Sequence, residues 1–254
     1  MNSGSGRTLR TGDTCLRQII KGARLAALLV LAVLLVPLAP VLGRRRSPAL
    51  VRWWHGRLLR ALGITVHMRG TLPETPVLIV ANHSTWLDIV VLGHVLDTVF
   101  ISKAEIGKWP IIGVYARSMG TLLLARGANE TATTSRQIHA TLAAGRSVVL
   151  FPEGTTTRTP QPRRFHARLF AAAIDADHAV LPVALRYHDS RTPHHAHHPL
   201  VPWVDMPLRT NFRHVFGLAG LQVDLNIGVA MPATGHDRRS LADASRDAIL
   251  QLQG

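Results

Sequence analysis

Val77-Leu78-Ile79-Val80-Ala81-Asn82-His83-Ser84-Thr85-Trp86-Leu87-Asp88 reads as a short apolar strand, a polar turn and the start of an apolar helix. That switch of period recurs along the chain. Strands are expected over 64–68, 77–81, 99–102, 122–125, 148–151, 179–187 and 223–230. Helices are expected over 85–95, 111–118, 130–144, 165–176 and 239–252. Strands alternating with helices predict an α/β fold, a mixed sheet flanked by helices.

The turn inside that stretch carries a possible base. A neutral imidazole at a strand end, held by a carboxylate, is suited to take a proton from a substrate. His83 and Asp88 are five positions apart. On a continuous helix that is a rotation of about 500°, which would splay the side chains. They meet only if His83 precedes the helix. Thr85 as N-cap with Asp88 at N3, a capping-box-like T-x-x-D, would allow it. This stretch alone leaves two readings open: Asp88 orients His83, or Asp88 merely caps the helix.

A second stretch bears on the choice. Phe151-Pro152-Glu153-Gly154-Thr155 also follows an apolar run. Gly154 permits unusual dihedrals in a sharp turn. Thr155, Thr156 and Thr157 bring hydroxyls, and Arg158 a fixed cation, which together suit a phosphate or glycerol group. Arg126 ends the expected strand over 122–125. Ligands of open α/β sheets bind outside the carboxyl ends of strands, so His83, Arg126 and Glu153 could converge on one site.

Composition bounds the partners. The 254 residues include 29 Lys plus Arg, of which three are Lys, against 15 Asp plus Glu, for a formal charge of +14. Such a charge favours anionic surfaces, although Arg- and Ala-rich coding would produce the same count. Cys15 is the single cysteine, so no internal disulfide forms. His194, His195, His197 and His198 lie in a Pro-rich loop without a carboxylate or Cys at ligand spacing. They are read as solvated, and no metal is expected.

The N-terminal region is expected to anchor the chain to a membrane. Residues 25–42 carry no charge, with Arg17, Lys21 and Arg24 before them and Arg44, Arg45 and Arg46 after. The length qualifies as a spanning helix. Pro37 and Pro40 shorten the unbroken run to Leu25–Val36, roughly 18 Å of helix against a hydrocarbon core of about 30 Å. A helix that enters one leaflet and returns is the alternative. Trp53 and Trp54 among Arg52, Arg57 and Arg60 suit a membrane boundary, or an ordinary amphipathic helix packed on the domain. The expected division is a basic tail over 1–23, an anchoring segment over 24–62 and a catalytic domain over 63–254.

Asn82-His83 with Asp88, Gly120 to Arg126, Phe151-Pro152-Glu153-Gly154 and Val180-Leu181-Pro182-Val183 resemble the four ordered blocks of the glycerolipid acyltransferase family, in particular its bacterial 1-acyl-sn-glycerol-3-phosphate acyltransferase branch. Ser102-Lys103-Ala104-Glu105, Pro110 and Gly113 fit the pattern between the first two blocks. Asp237 to Ala242 resembles the usual start of the C-terminal helix. The likeness spans roughly residues 50–252. Two departures stand out. Thr156 occupies a position that often holds Arg in the family, and a glycine common around 165–170 is missing. Both occur among family branches, including those related to ornithine-lipid acylation.

The resemblance implies acyl transfer from acyl-CoA or acyl carrier protein to the free hydroxyl of 1-acyl-sn-glycerol-3-phosphate, giving phosphatidic acid for phospholipid biosynthesis. Another lysolipid, such as lyso-ornithine lipid, is the alternative acceptor. His83 would be the base and Asp88 its orienting acid. Backbone N–H groups after His83 would stabilise the oxyanion. Arg126, Glu153, Gly154, Thr155, Lys103 and Arg158 would bind the head group. The thioester is a co-substrate and no cofactor is implied. The expected location is the cytoplasmic membrane, with the catalytic domain on its cytoplasmic face. The chain has no G-x-S-x-G, which argues against an α/β-hydrolase route. Nucleic acid is not an expected partner, because the Arg residues are scattered and not interleaved with aromatics on one face. A thioesterase, with His83 activating water, is the remaining rival.

Overall fold

The computed structural model describes residues 11–35, 39–109, 113–114, 116–117, 120–124, 130–159, 161–192 and 196–254. In chain order the helices and strands are α1 (Thr11–Leu35), α2 (Ala39–Leu62), β1 (Ile64–Arg69), β2 (Leu78–Ala81), α3 (Leu87–Val95), β3 (Thr98–Lys103) and β4 (Leu122–Leu124). They continue with α4 (Glu130–Ala143), β5 (Ser147–Leu150), α5 (Ala171–Asp175), β6 (Val180–His188), α6 (Leu208–Gly217), β7 (Leu221–Ile227) and α7 (Arg238–Leu252).

The strands form one seven-stranded sheet in the order β1-β7-β6-β2-β5-β3-β4. From β6 to β4 every neighbour is parallel. β7 runs antiparallel to β6, and β1 is parallel to β7. The sheet is therefore mixed, as expected. All four residues of β2 are buried, which suits a central parallel strand covered on both faces. Successive residues go to opposite faces. Ile79, Ala81, Val149, Val183 and Leu185 pack with α2 and α3 on one side. Leu78, Val80, Val148, Leu150 and Ala184 pack with α4, α5 and α7 on the other.

All seven expected strands are present, with ends that differ by at most three residues. The helix expected over 85–95 begins at Leu87. The one expected over 165–176 is a 3-10 turn, Ala167–Phe170, followed by the five-residue α5. Much of the one expected over 111–118 lies outside the described residues. α7 starts at an Asp237 cap whose carboxylate accepts the N–H groups of Arg239 and Ser240. α6 was not expected.

The uncharged stretch expected over 25–42 is covered by α1 and α2 except for 36–38, which lie outside the described residues. Among the described residues no helix is long and apolar enough to cross a membrane. α1 begins well before Leu25 and includes Arg17, Lys21 and Arg24, while α2 includes Arg52, Arg57 and Arg60. Leu25 of α1 is buried against the domain. Lys21 Nζ donates to the carbonyls of Phe216 and Leu218, at 2.7 and 2.9 Å, where α6 ends. A cation at a helix C-terminus satisfies carbonyls that the helix leaves open. Leu16, Ile19, Leu29, Val30 and Leu34 remain exposed on α1.

Candidate active site

Parallel β2 and β5 end on the same edge of the sheet, and their ends deliver His83 and Glu153 together. His83 lies in the turn before α3, and its Nδ1 is 2.8 Å from Asp88 Oδ2. The first of the two readings left open by the sequence is therefore the geometry found. Half of the expected capping box is found, the half in which the carboxylate reaches back. Thr85 provides no side-chain cap. Instead Asp88 Oδ2 accepts the N–H groups of Ser84 and Thr85, at 2.8 and 3.0 Å, and α3 starts without a side-chain cap at Trp86. Asp88 sits in the first turn, where the helix dipole favours a negative charge.

Asp88 is fully buried, and its other oxygen, Oδ1, accepts the Tyr187 hydroxyl at 2.8 Å. Because an ionised carboxylate only accepts, His83 Nδ1 carries the proton and Nε2 keeps a free lone pair. The imidazole stacks on Phe151, with centroids 4.0 Å apart and an interplanar angle of 17°. Its side chain is 17% exposed, so the ring is fixed from one side and still reaches solvent. The expected oxyanion donors are altered by this arrangement. The Ser84 and Thr85 N–H groups are already bound to Asp88.

Glu153 is buried, and both its oxygens face backbone donors. Oε1 accepts His83 N–H at 2.9 Å and Oε2 accepts Arg163 N–H at 2.8 Å. Burial pushes its carboxyl upward against those hydrogen bonds and the nearby His83. Thr157 completes the clamp by donating N–H to the His83 carbonyl at 2.9 Å. Glu153→Ala leaves two amides without acceptors, and a loss of about 1–3 kcal/mol of stability is expected. Acceptor turnover falls with it, since the His83 backbone loses its tether. Thermal unfolding and acceptor-dependent kinetics read both, and wild-type values in each would refute the clamp.

Gly154 has φ of 68°, the left-handed conformation its sequence position suggested. Gly154 and Thr155 are exposed beside the clamp. Thr156 Oγ1 donates to the Trp203 carbonyl. Arg158 is exposed, donates to the Val204 carbonyl at 3.2 Å and lies 3.5 Å from Asp205. Lys103 ends β3 on the same edge, but its side chain lies outside the described residues, as does all of Arg126.

The loop after β6 departs from the sequence reading. His198 is buried and His197 half-buried. His198 is buried, 3.5 Å from Asp189, and its N–H donates to the Tyr187 carbonyl. His197 Nδ1 accepts Tyr187 N–H at 3.3 Å. Burial lowers the His197 pKa to about 4 and keeps it neutral. The loop folds back on β6, which buries His198 and half-buries His197. His194 and His195 lie outside the described residues. Among the described residues no group of three or more His, Cys, Asp or Glu could hold a metal ion.

Several contacts were not legible beforehand. Asn82 donates to the Leu185 carbonyl at 2.9 Å and accepts Leu185 N–H at 2.8 Å. Its amide extends the β2–β6 ladder by one step. Trp203 N–H donates to the Ser84 carbonyl at 2.8 Å. Trp86 Nε1 donates to Asn211 Oδ1 at 3.0 Å, fixing the start of α3 against α6. Only the Asn82-His83 pairing in the motif hinted at the first of these.

Comparison with known proteins adds independent findings. Residues 63–186 match the family model described as Acyltransferase. The chain is 37% identical to the lyso-ornithine lipid O-acyltransferase of Pseudomonas aeruginosa, over 92% of each chain. It is 33% identical to the 1-acyl-sn-glycerol-3-phosphate acyltransferase of Neisseria meningitidis, over 80% of each. The crystal structure of PlsC, the 1-acyl-sn-glycerophosphate acyltransferase of Thermotoga maritima, has a similar fold, with a TM-score of 0.72 at 18% identity over 96% of both chains.

Proposed function

We propose that this chain, which belongs to the acyltransferase family, transfers a fatty acyl group from a thioester to the free hydroxyl of a lysolipid. The observation that carries this reading is the 2.8 Å contact between His83 Nδ1 and Asp88 Oδ2. His83 Nε2 removes the hydroxyl proton as the lipid oxygen attacks the thioester carbonyl. The tetrahedral intermediate collapses with cleavage of the C–S bond. The thiolate leaves and takes the proton back from the imidazolium, yielding a thiol and an ester. Asp88 orients the ring and stabilises its charged form. The thioester donor is acyl-CoA or acyl carrier protein, and no cofactor takes part.

The head group binds beside that base. Gly154 and Thr155 form the exposed mouth, while Arg126, Lys103 and Arg158 supply cations. Glu153 contributes by holding the His83 backbone. The acceptor placed first is lyso-ornithine lipid. The Pseudomonas relative matches at higher identity and over more of the chain than the Neisseria relative. Thr156 stands where an Arg for phosphate is frequent, and its hydroxyl is bound to Trp203. The second reading, 1-acyl-sn-glycerol-3-phosphate, draws support from the Neisseria relative.

We further propose that α1 and α2 hold the domain at the cytoplasmic membrane, with the site on the cytoplasmic face. Exposed Leu16, Ile19, Leu29, Val30 and Leu34 offer apolar surface, and neighbouring arginines suit anionic lipid.

The test supplies purified enzyme with each lysolipid and with acyl-CoA or acyl carrier protein. Lyso-ornithine lipid is expected to be used with a kcat/KM at least about tenfold above 1-acyl-sn-glycerol-3-phosphate. The reverse preference establishes the second acceptor. Failure to acylate either, with hydrolysis of the thioester, establishes a thioesterase.

A further inference from the structure

We propose that Tyr187 is a positioning residue for this reaction: by donating its hydroxyl to Asp88 Oδ1 it fixes the carboxylate that holds His83 and sets how strongly that carboxylate draws the imidazole proton. The proposal rests on the reading of His83 as the base.

The two oxygens of Asp88 have different partners. Oδ2 receives His83, Ser84 N–H and Thr85 N–H. Oδ1 receives the phenol at 2.8 Å. Both Tyr187 and Asp88 are 0% exposed, so the hydrogen bond has no water to compete with it. In such surroundings a hydrogen bond to a charged group is strong, and its loss changes the charge that the carboxylate shows to its other partner. Burial first, and the adjacent Asp88 second, push the Tyr187 phenol well above its usual range. It remains a donor.

The backbone explains how Tyr187 reaches the site. Ala81 pairs with Val183 at the end of β2, and β6 continues to His188. That overhang carries β6 alongside the 82–85 turn. Asn82 locks to Leu185 on both sides of its amide. Leu185 and Tyr187 are two residues apart in a strand and share a face. Asn82, the neighbour of the base, therefore sets the register that aims the phenol at the acid. From the other side His197 accepts Tyr187 N–H and meets its ring edge-on, with centroids 5.7 Å apart and planes at 78°.

The titratable groups around the pair are Glu153, which holds the His83 backbone, and His197, with Arg186 acting on His197. All are left in place by Tyr187→Phe. Without the phenol, negative charge concentrates on Asp88 and the imidazolium is better stabilised. The His83 pKa rises, and the base is lost at a higher pH.

The test is Tyr187→Phe in the full chain, with the His83 ring titrated by nitrogen NMR and the pH dependence of kcat measured. The expected result is a His83 pKa raised by about 0.5–1 unit and, because the carboxylate that aims the ring is no longer fixed through Oδ1, a kcat about tenfold lower with KM little changed. The acidic limb of the profile moves upward with the ring. If that variant fails to fold, 3-fluorotyrosine at position 187 keeps the packing and strengthens the donor, and the ring pKa and the acidic limb are expected to move downward together. A His83 pKa unmoved in a folded variant overturns the proposal. A ring pKa that shifts while rate and limb stay at wild type leaves the hydrogen bond standing but removes His83 as the base, and Tyr187's part in the reaction with it.

Discussion

His83→Ala is expected to lower acyl transfer by about 10³–10⁴-fold while leaving the fold intact. The rate falls because the substitution removes Nε2, and the buried carboxylates beside it among the described residues do not replace it. Asp88 and Glu153 are the neighbouring carboxylates, and both are buried with their oxygens occupied by hydrogen bonds. The fold survives for a related reason. Asp88 loses one of its four donors and keeps Ser84 N–H, Thr85 N–H and Tyr187. The His83 N–H and carbonyl stay bound to Glu153 and Thr157, since those contacts are made by the backbone. The cost is limited to the stacking on Phe151 and one charge-assisted hydrogen bond. Acylation of both lysolipids, and growth of a strain lacking lysophosphatidate acyltransferase, are the measurements. Equal growth with the wild-type and variant genes, or a rate within tenfold of wild type, removes His83 from the mechanism.

The fold was readable because its signal is local. Each strand is an apolar run such as Val148 to Leu150 or Leu78 to Ala81, bounded by polar or turn residues. Strand order is not local. Nothing in the run over 221–227 announces that β7 lies between β1 and β6. α6 escaped notice for a different reason. Leu208, Phe212 and Val215 have helical spacing, yet the helix is ten residues long and follows a Pro-rich loop.

The site divides in the same way. His83 and Asp88 lie five residues apart, and the requirement that they meet before the helix is simple geometry. That only the aspartate half of the T-x-x-D box forms was not legible, because the pattern is satisfied by a threonine that caps forward, by an aspartate that reaches back, or by both. Tyr187 lies 99 residues from Asp88 and Leu185 103 residues from Asn82. Their contacts depend on the overhang of β6 past β2. No spacing in the chain encodes that overhang. The loop histidines were misread because composition describes a segment as polar without showing that it folds back onto a strand. His197 and His198 are covered by that return.

Replacing Asp88 separates two consequences that the wild-type carboxylate unites, stability and catalysis. Asp88→Ala strands Ser84 N–H, Thr85 N–H and the Tyr187 hydroxyl in a dry interior. Each buried donor without an acceptor costs about 1–3 kcal/mol, and the loss is expected to reach about 3–5 kcal/mol in total. Asp88→Asn has nearly the same shape. Its amide oxygen, placed at Oδ2, accepts the two backbone N–H groups, and its NH₂ donates to the Tyr187 oxygen, since a phenol can reverse its role. Stability is therefore expected to stay within about 1.5 kcal/mol of wild type. The rate is not rescued. The charge that stabilises the imidazolium is gone, and a loss of about 10²–10⁴-fold in kcat is expected. Chemical denaturation read beside acyl-transfer kinetics distinguishes the effects. An Asp88→Asn enzyme with wild-type kcat would show that the carboxylate is only a cap, and the reading of His83 as an acid-assisted base would fall with it.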